Sequence, residues 1–181
     1  MALSPRIALL RAVNVGGRKL LMAELRQFAV DLGLEAPRTL IQSGNLVFGS
    51  AADDAELEQM LEREALARLG IATDFLVRGA DEWRDLIAAN PHADMARDDP
   101  GHLMVMALKS PPGEAELAAL RAWIPGRELV VAVGRQLYIT YADGAGESKL
   151  TNAAIERRLG VRGTARNWNT VSKLAAMLLP P

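Results

Sequence analysis

The chain has 181 residues, half of them hydrophobic, 24% charged, with a formal net charge of −1 and no cysteine. That length suits one large domain or two small ones with a sizeable core, and the balance of apolar and charged residues excludes global disorder. Near-zero charge gives no overall field for nucleic acid, and the lack of cysteine excludes disulfides, thiol catalysis and Cys-based zinc sites.

Arg6 to Val13 is an apolar run that suits a strand buried on both faces. Leu21, Leu25, Phe28, Ala29 and Leu32 recur at helical spacing, and Gly33 stands where a C-cap belongs. Pro37 to Ile41 and Leu46 to Phe48 read as two strands about a Ser43-Gly44-Asn45 hairpin. Asp53 or Asp54 caps a helix carrying Leu57, Leu61, Ala65 and Leu69, stopped by Gly70, and Thr73 to Arg78 is a fourth strand. A short helix, Asp81 to Ala89, turns Trp83, Leu86 and Ile87 inward, and the polar stretch Asn90 to Gly101 reads as a linker.

The same order then returns: strand His102 to Leu108, helix Glu114 to Trp123 stopped by Pro125-Gly126, strands Leu129 to Val133 and Leu137 to Tyr141 around Gly134-Arg135. Helix Leu150 to Leu159, a weak strand Val161 to Arg166 and an extra terminal helix Thr170 to Leu179 complete it. The expected fold is α+β, two ferredoxin-like β-α-β-β-α-β units in tandem. Their expected limits are 1–80 and 102–181, joined by a helix and linker over 81–101. The alternative is one mixed sheet with helices on one side.

Four polar segments stand at strand ends. In the first unit they are Arg11, Asn14, Gly16, Gly17 and Lys19, and the hairpin residues Gln42, Ser43 and Asn45. In the second they are Ser148, Lys149 and Thr151, and Arg166, Asn167, Trp168 and Asn169. β-α-β-β-α-β topology gathers each unit's two segments at one end of its sheet. Glycines let backbone approach an anion and a helix N-terminus offers free N–H groups. Neither a Walker loop nor a dinucleotide fingerprint is present, so the opening segment also reads as a plain turn. Ser148 likewise reads as an N-cap with Thr151 three residues on, and Asn167 or Asn169 as a cap of the last helix. Trp168 reads either as core or as a stacking surface.

His92, Asp94, Asp98, Asp99 and His102 are close in the linker but match no metal-ligand spacing, so no metal is expected. With two histidines in all, no Ser-His-Asp triad is assembled. Aromatic content of 4% leaves no stacking platform for RNA on a sheet face, which makes nucleic acid a less favoured partner. No apolar run approaches the ~20 residues that span a bilayer, and Met1 to Arg6 has no signal-peptide pattern, so the chain reads as soluble and cytoplasmic.

Leu10-Arg11-Ala12-Val13-Asn14-Val15-Gly16-Gly17, Ile41-Gln42-Ser43-Gly44-Asn45, Ser148-Lys149-Leu150-Thr151 and Arg166-Asn167-Trp168-Asn169-Thr170-Val171, in that order, resemble the uncharacterised bacterial domain-of-unknown-function family sixteen-ninety-seven. Members of that family usually have Gly-Ile where this chain has Ala12-Val13, and the linker histidines are no part of its pattern. The resemblance implies a duplicated ferredoxin-like fold and no established activity. The leading functional expectation is a binding protein for an anionic or phosphorylated small ligand, a nucleotide among the candidates, with no cofactor. Its rivals are an enzyme on such a ligand, a nucleic-acid module, and a scaffold in which these segments fix an interface.

Overall fold

The computed structural model describes residues 3–11, 19–41 and 44–178. Its elements run β1 (Ser4–Leu10), α1 (Met22–Asp31), β2 (Glu35–Leu40), β3 (Asn45–Ser50), α2 (Asp54–Glu64) and β4 (Phe75–Gly79). They continue with α3 (Ala80–Ala88), α4 (Ala93–Asp98), β5 (Leu103–Leu108), α5 (Glu114–Trp123), β6 (Leu129–Val133), β7 (Gln136–Thr140), α6 (Asn152–Leu159), β8 (Gly163–Asn167) and α7 (Trp168–Met177). The fold class is α+β, with two separate four-stranded sheets ordered β2-β3-β1-β4 and β6-β7-β5-β8, every pairing antiparallel. The single mixed sheet is thereby set aside. Contacts divide the chain into two compact units, Met1–Asp85 with Leu174–Pro181, and Leu86–Lys173.

In the first unit Ala8, Leu10, Leu46, Phe48, Phe75 and Val77 point from one sheet face into a core closed by Leu25, Phe28, Leu57 and Leu61 of α1 and α2. Ile7 and Leu9, which alternate with them, are also no more than 1% exposed. The unbroken apolar run of β1 therefore marks a strand buried on both faces, as its lack of polar alternation implied. In the second unit Met106, Leu108, Leu137 and Ile139 pack on Leu120, Ile155 and Leu159 of α5 and α6.

Several boundaries moved for local reasons. Leu21 does not join the apolar face of α1 but is 48% exposed, because it is the extended residue before the helix, while Leu20 is buried at 1%. The backbone N–H of Leu21 donates to Glu24 Oε2 at 3.0 Å, which satisfies one of the orphan donors of the helix start. α2 begins at an Asp53 cap, whose Oδ1 accepts from Glu56 N at 2.8 Å, and passes into a π-helical turn, Ala65–Leu69. Gly70 ends that turn at φ 65°, the left-handed conformation that favours glycine. The polar stretch read as linker holds α4, with Asp94 in its first turn and Arg97 in its last, the arrangement a helix dipole favours. The strand expected at Val161 to Arg166 is β8, Gly163–Asn167, and the terminal helix begins directly after it at Trp168.

One buried charge had no sequence signal. Arg78 in β4 is 0% exposed; its Nε lies 3.2 Å from Glu82 Oε1, its Nη1 lies 3.9 Å from Glu58 Oε1, and it donates to Val77 O at 2.8 Å.

Candidate functional site

At one end of the first sheet, Leu10 N–H donates to Gly44 O at 2.9 Å and Arg11 N–H to Asp74 O at 2.9 Å. The end of β1 thus lies beside both the β2–β3 hairpin and the start of β4. Thr73 Oγ1 donates to Arg11 O, and the Arg11 guanidinium stands 3.5 Å from Asp74 Oδ2, so that cation faces a carboxylate of its own unit. Asn45 is fully buried and its Nδ2 donates to Leu40 O at 2.8 Å, fastening the hairpin. Lys19 is exposed. Asn14, Gly16, Gly17, Gln42 and Ser43 lie outside the described residues.

In the second unit the two expected segments follow β7 and β8, at the end of the sheet where β5 begins, and they have different fates. Arg166 is 6% exposed, donates to Thr164 Oγ1 at 2.7 Å and to Ala165 O at 2.9 Å, and burial pushes its pKa down to about 10, so it stays cationic at neutral pH. Asn167 Oδ1 accepts from Thr170 N and Thr170 Oγ1, both at 3.0 Å, which caps α7. Trp168 is 9% exposed and counts with the core, so its indole serves packing, while Asn169 is exposed.

Ser148 and Lys149, by contrast, line a pocket of about 250 Å³ together with Gly126, Glu128, Asp143 and Glu147. The helix cap expected at Ser148 is instead Thr151, whose Oγ1 accepts from Ala154 N at 3.2 Å, and α6 starts at Asn152. That shift leaves the Ser148 hydroxyl to accept from Leu150 N at 3.0 Å and to donate to Glu128 Oε1. A Cβ on Gly126 would overlap Glu128 Oε2, so the carboxylate occupies space that glycine leaves open. Glu128 Oε2 is enclosed and makes no hydrogen bond among the described residues.

Next to Lys149, Leu150 O accepts from the Tyr141 hydroxyl at 2.7 Å. Burial, with the Glu128 charge adding to it, pushes that phenol up to about 12. At the rim Arg127 grips Asp143, which holds the carboxyl below its usual range. Glu128, Asp143, Tyr141 and Gly126 were not singled out from the sequence. Pro125-Gly126 read only as a helix stop, and nothing local linked Glu128 to Ser148.

In the second unit, ahead of β5, Asp94 and Asp98 both bind Arg97, at 3.1 and 2.7 Å, and Asp99 Oδ2 lies 2.7 Å from His102 Nδ1. Among the described residues no group of three or more His, Asp or Glu is arranged to hold a metal ion. A larger cleft of about 660 Å³ in the first unit has Ser4, Arg6, Asp81 and Arg84 in its lining, with Arg6 paired to Asp54 at 3.0 Å and Arg84 to Asp81. Among the described residues no helix is long and apolar enough to cross a membrane.

The structure of the conserved bacterial protein SP0830 from Streptococcus pneumoniae is similar to this chain, with a TM-score of 0.76 and 24% sequence identity over 98% of this chain and 100% of that one. At that identity the likeness speaks for the fold alone. None of the curated proteins matches the chain. A family model described as "Protein of unknown function (DUF1697)" matches residues 3–138, a span that includes Arg11 to Lys19 and Gln42 to Asn45. The chain belongs to that family.

Proposed function

We propose that the protein binds a small polar ligand at the end of its second sheet, between the loop before β6 and the loop before α6. One observation carries this reading: Glu128 is seated against Gly126 with one oxygen bonded by Ser148 and the other, Oε2, enclosed without a hydrogen bond among the described residues. A buried acceptor with no partner is costly, and a turn of the Glu128 side chain that presents Oε2 to a ligand donor relieves the cost. Lys149 at the same pocket supplies the contact for an anionic group. With Asp143 paired to Arg127, Glu128 and Glu147 still outnumber that lysine, so a polyphosphate meets like charge here. The ligand class that fits is therefore a compact molecule with an ammonium or hydroxyl donor for Glu128 and a single anionic group for Lys149. The anionic-ligand reading is kept in that narrower form.

Each unit reads as ferredoxin-like, which the element order and the strand order β4-β1-β3-β2 support. A nucleic-acid module is less favoured, because Trp168, Tyr138 and Tyr141 are all buried and leave no stacking surface in those positions.

The test is titration of labelled protein with amino acids, polyamines, sugar monophosphates, nucleotides and short RNA, following the amide signals of Gly126, Glu128, Ser148 and Lys149. Saturable shifts confined to these positions with a zwitterionic or hydroxylated compound are expected. If no member of the set moves them, the reading fails.

A further inference from the structure

Strands β4 and β8 occupy the edges of their sheets. An edge strand presents backbone N–H and C=O groups that can pair with another chain. Here three of the outward N–H groups already have side-chain acceptors. Phe75 N donates to Glu62 Oε1 at 3.0 Å and Val77 N to Glu58 Oε1 at 2.8 Å, both carboxylates coming from α2. In the second unit Gly163 N donates to Glu156 Oε1 of α6 at 2.8 Å.

The geometry explains the fit. Glu58 and Glu62 stand one helical turn apart, about 6 Å along the axis, and Phe75 and Val77 stand two residues apart, about 6.6 Å along the strand. A helix lying alongside an edge strand can therefore place a carboxylate on every second, outward-facing N–H. The same device recurs in both units, each time from the helix that precedes the edge strand. The other two edges are obstructed differently. β2 carries a register shift between Glu35 and Arg38 with Ala36 at φ 44°, and on β6 the Arg121 Nε donates to Val130 O at 2.8 Å.

We propose that Glu58, Glu62 and Glu156 are edge locks, which keep β4 and β8 from adding a strand of a second copy of this chain. Glu58 also faces buried Arg78, so the informative variants are at Glu62 and Glu156. Glu62→Leu and Glu156→Leu remove the acceptor, whereas Glu62→Gln and Glu156→Gln keep a carbonyl oxygen in its place. Hydrogen exchange of the Phe75 and Gly163 amides is measured in each full-length variant, with Leu9 in the interior strand β1 as the control, and mass is followed by light scattering against concentration. In the Leu variants the edge amide should exchange at least about tenfold faster, with Leu9 unchanged, and mass should rise with concentration above that of the wild type. The Gln variants should behave as wild type. Wild-type exchange and mass in the Leu variants would overturn the proposal. So would equal acceleration at Leu9, which would make these carboxylates supports of the whole sheet, and so would faster edge exchange without any gain in mass.

Discussion

Ser148 and Glu128 stand twenty positions apart in sequence, yet the serine hydroxyl donates to the glutamate carboxylate across the pocket of the second unit. The pair joins the loop before α6 to the strand that begins at Leu129. It also sets which carboxylate oxygen is left without a hydrogen bond among the described residues.

Ser148→Ala removes two hydrogen bonds, so it should cost about 2 kcal/mol of stability and weaken binding of any ligand that uses Glu128. Glu128→Gln should lower affinity for an ammonium-bearing ligand by about tenfold or more, because the fixed charge is gone while the shape is kept. Calorimetric titration and denaturant melts of both variants check this. Unchanged affinity in Glu128→Gln would show that the ligand sits elsewhere.

Thr151 caps α6 and Ser148 does not, so the two alanine variants should separate by secondary structure. Thr151→Ala should lose about 1 kcal/mol and Thr151→Ser should retain most of it, since a serine oxygen reaches the same N–H. Denaturation midpoints decide the matter. Equal midpoints for wild type and Thr151→Ala would place the start of α6 elsewhere.

The chain has two tyrosines, Tyr138 and Tyr141, and burial pushes both phenols up to about 12 from an ordinary 10.0. Both hydroxyls donate to backbone carbonyls, Tyr138 to Leu86 O at 2.6 Å and Tyr141 to Leu150 O at 2.7 Å. A phenol whose folded pKa is raised stabilises the fold fully below its unfolded pKa, and that stability is lost as pH rises through the folded value. Stability should thus fall between about pH 10 and 12. Tyrosinate absorbance should stay low until that window, and a midpoint near 10 in the folded protein would contradict the burial of both rings.

Arg78 is enclosed with Glu82 and Glu58, and its removal strands carboxylates beside it. Arg78→Ala should cost about 3–5 kcal/mol, whereas Arg78→Met, which restores apolar volume, should cost less. Glu82→Gln should be milder than Arg78→Ala because Glu82 is partly exposed. Chemical denaturation of the three variants supplies the comparison, and a tolerated Arg78→Ala would show that the guanidinium is not enclosed.

The order of elements was legible in the residues because it depends on short-range physics. Apolar spacing marks α1 and α2, and Pro125-Gly126 marks the end of α5. Gly70 and Gly160 end helical segments at φ 65°, where a side chain is strained, and the two-residue turn Gly134-Arg135 fits the β6–β7 hairpin. Even there, the local sequence offers Ser148 as the cap of α6, whereas Thr151 holds it. Both residues carry a hydroxyl, and the difference was made by Glu128, a partner outside any local window. The same reason hid the buried guanidinium of Arg78, the carboxylates on the edges of β4 and β8, and the seat of Glu128 on Gly126. Each depends on which strands pair and which helix lies alongside. Those are contacts between distant segments, and only the packed tertiary structure brings them within hydrogen-bonding reach.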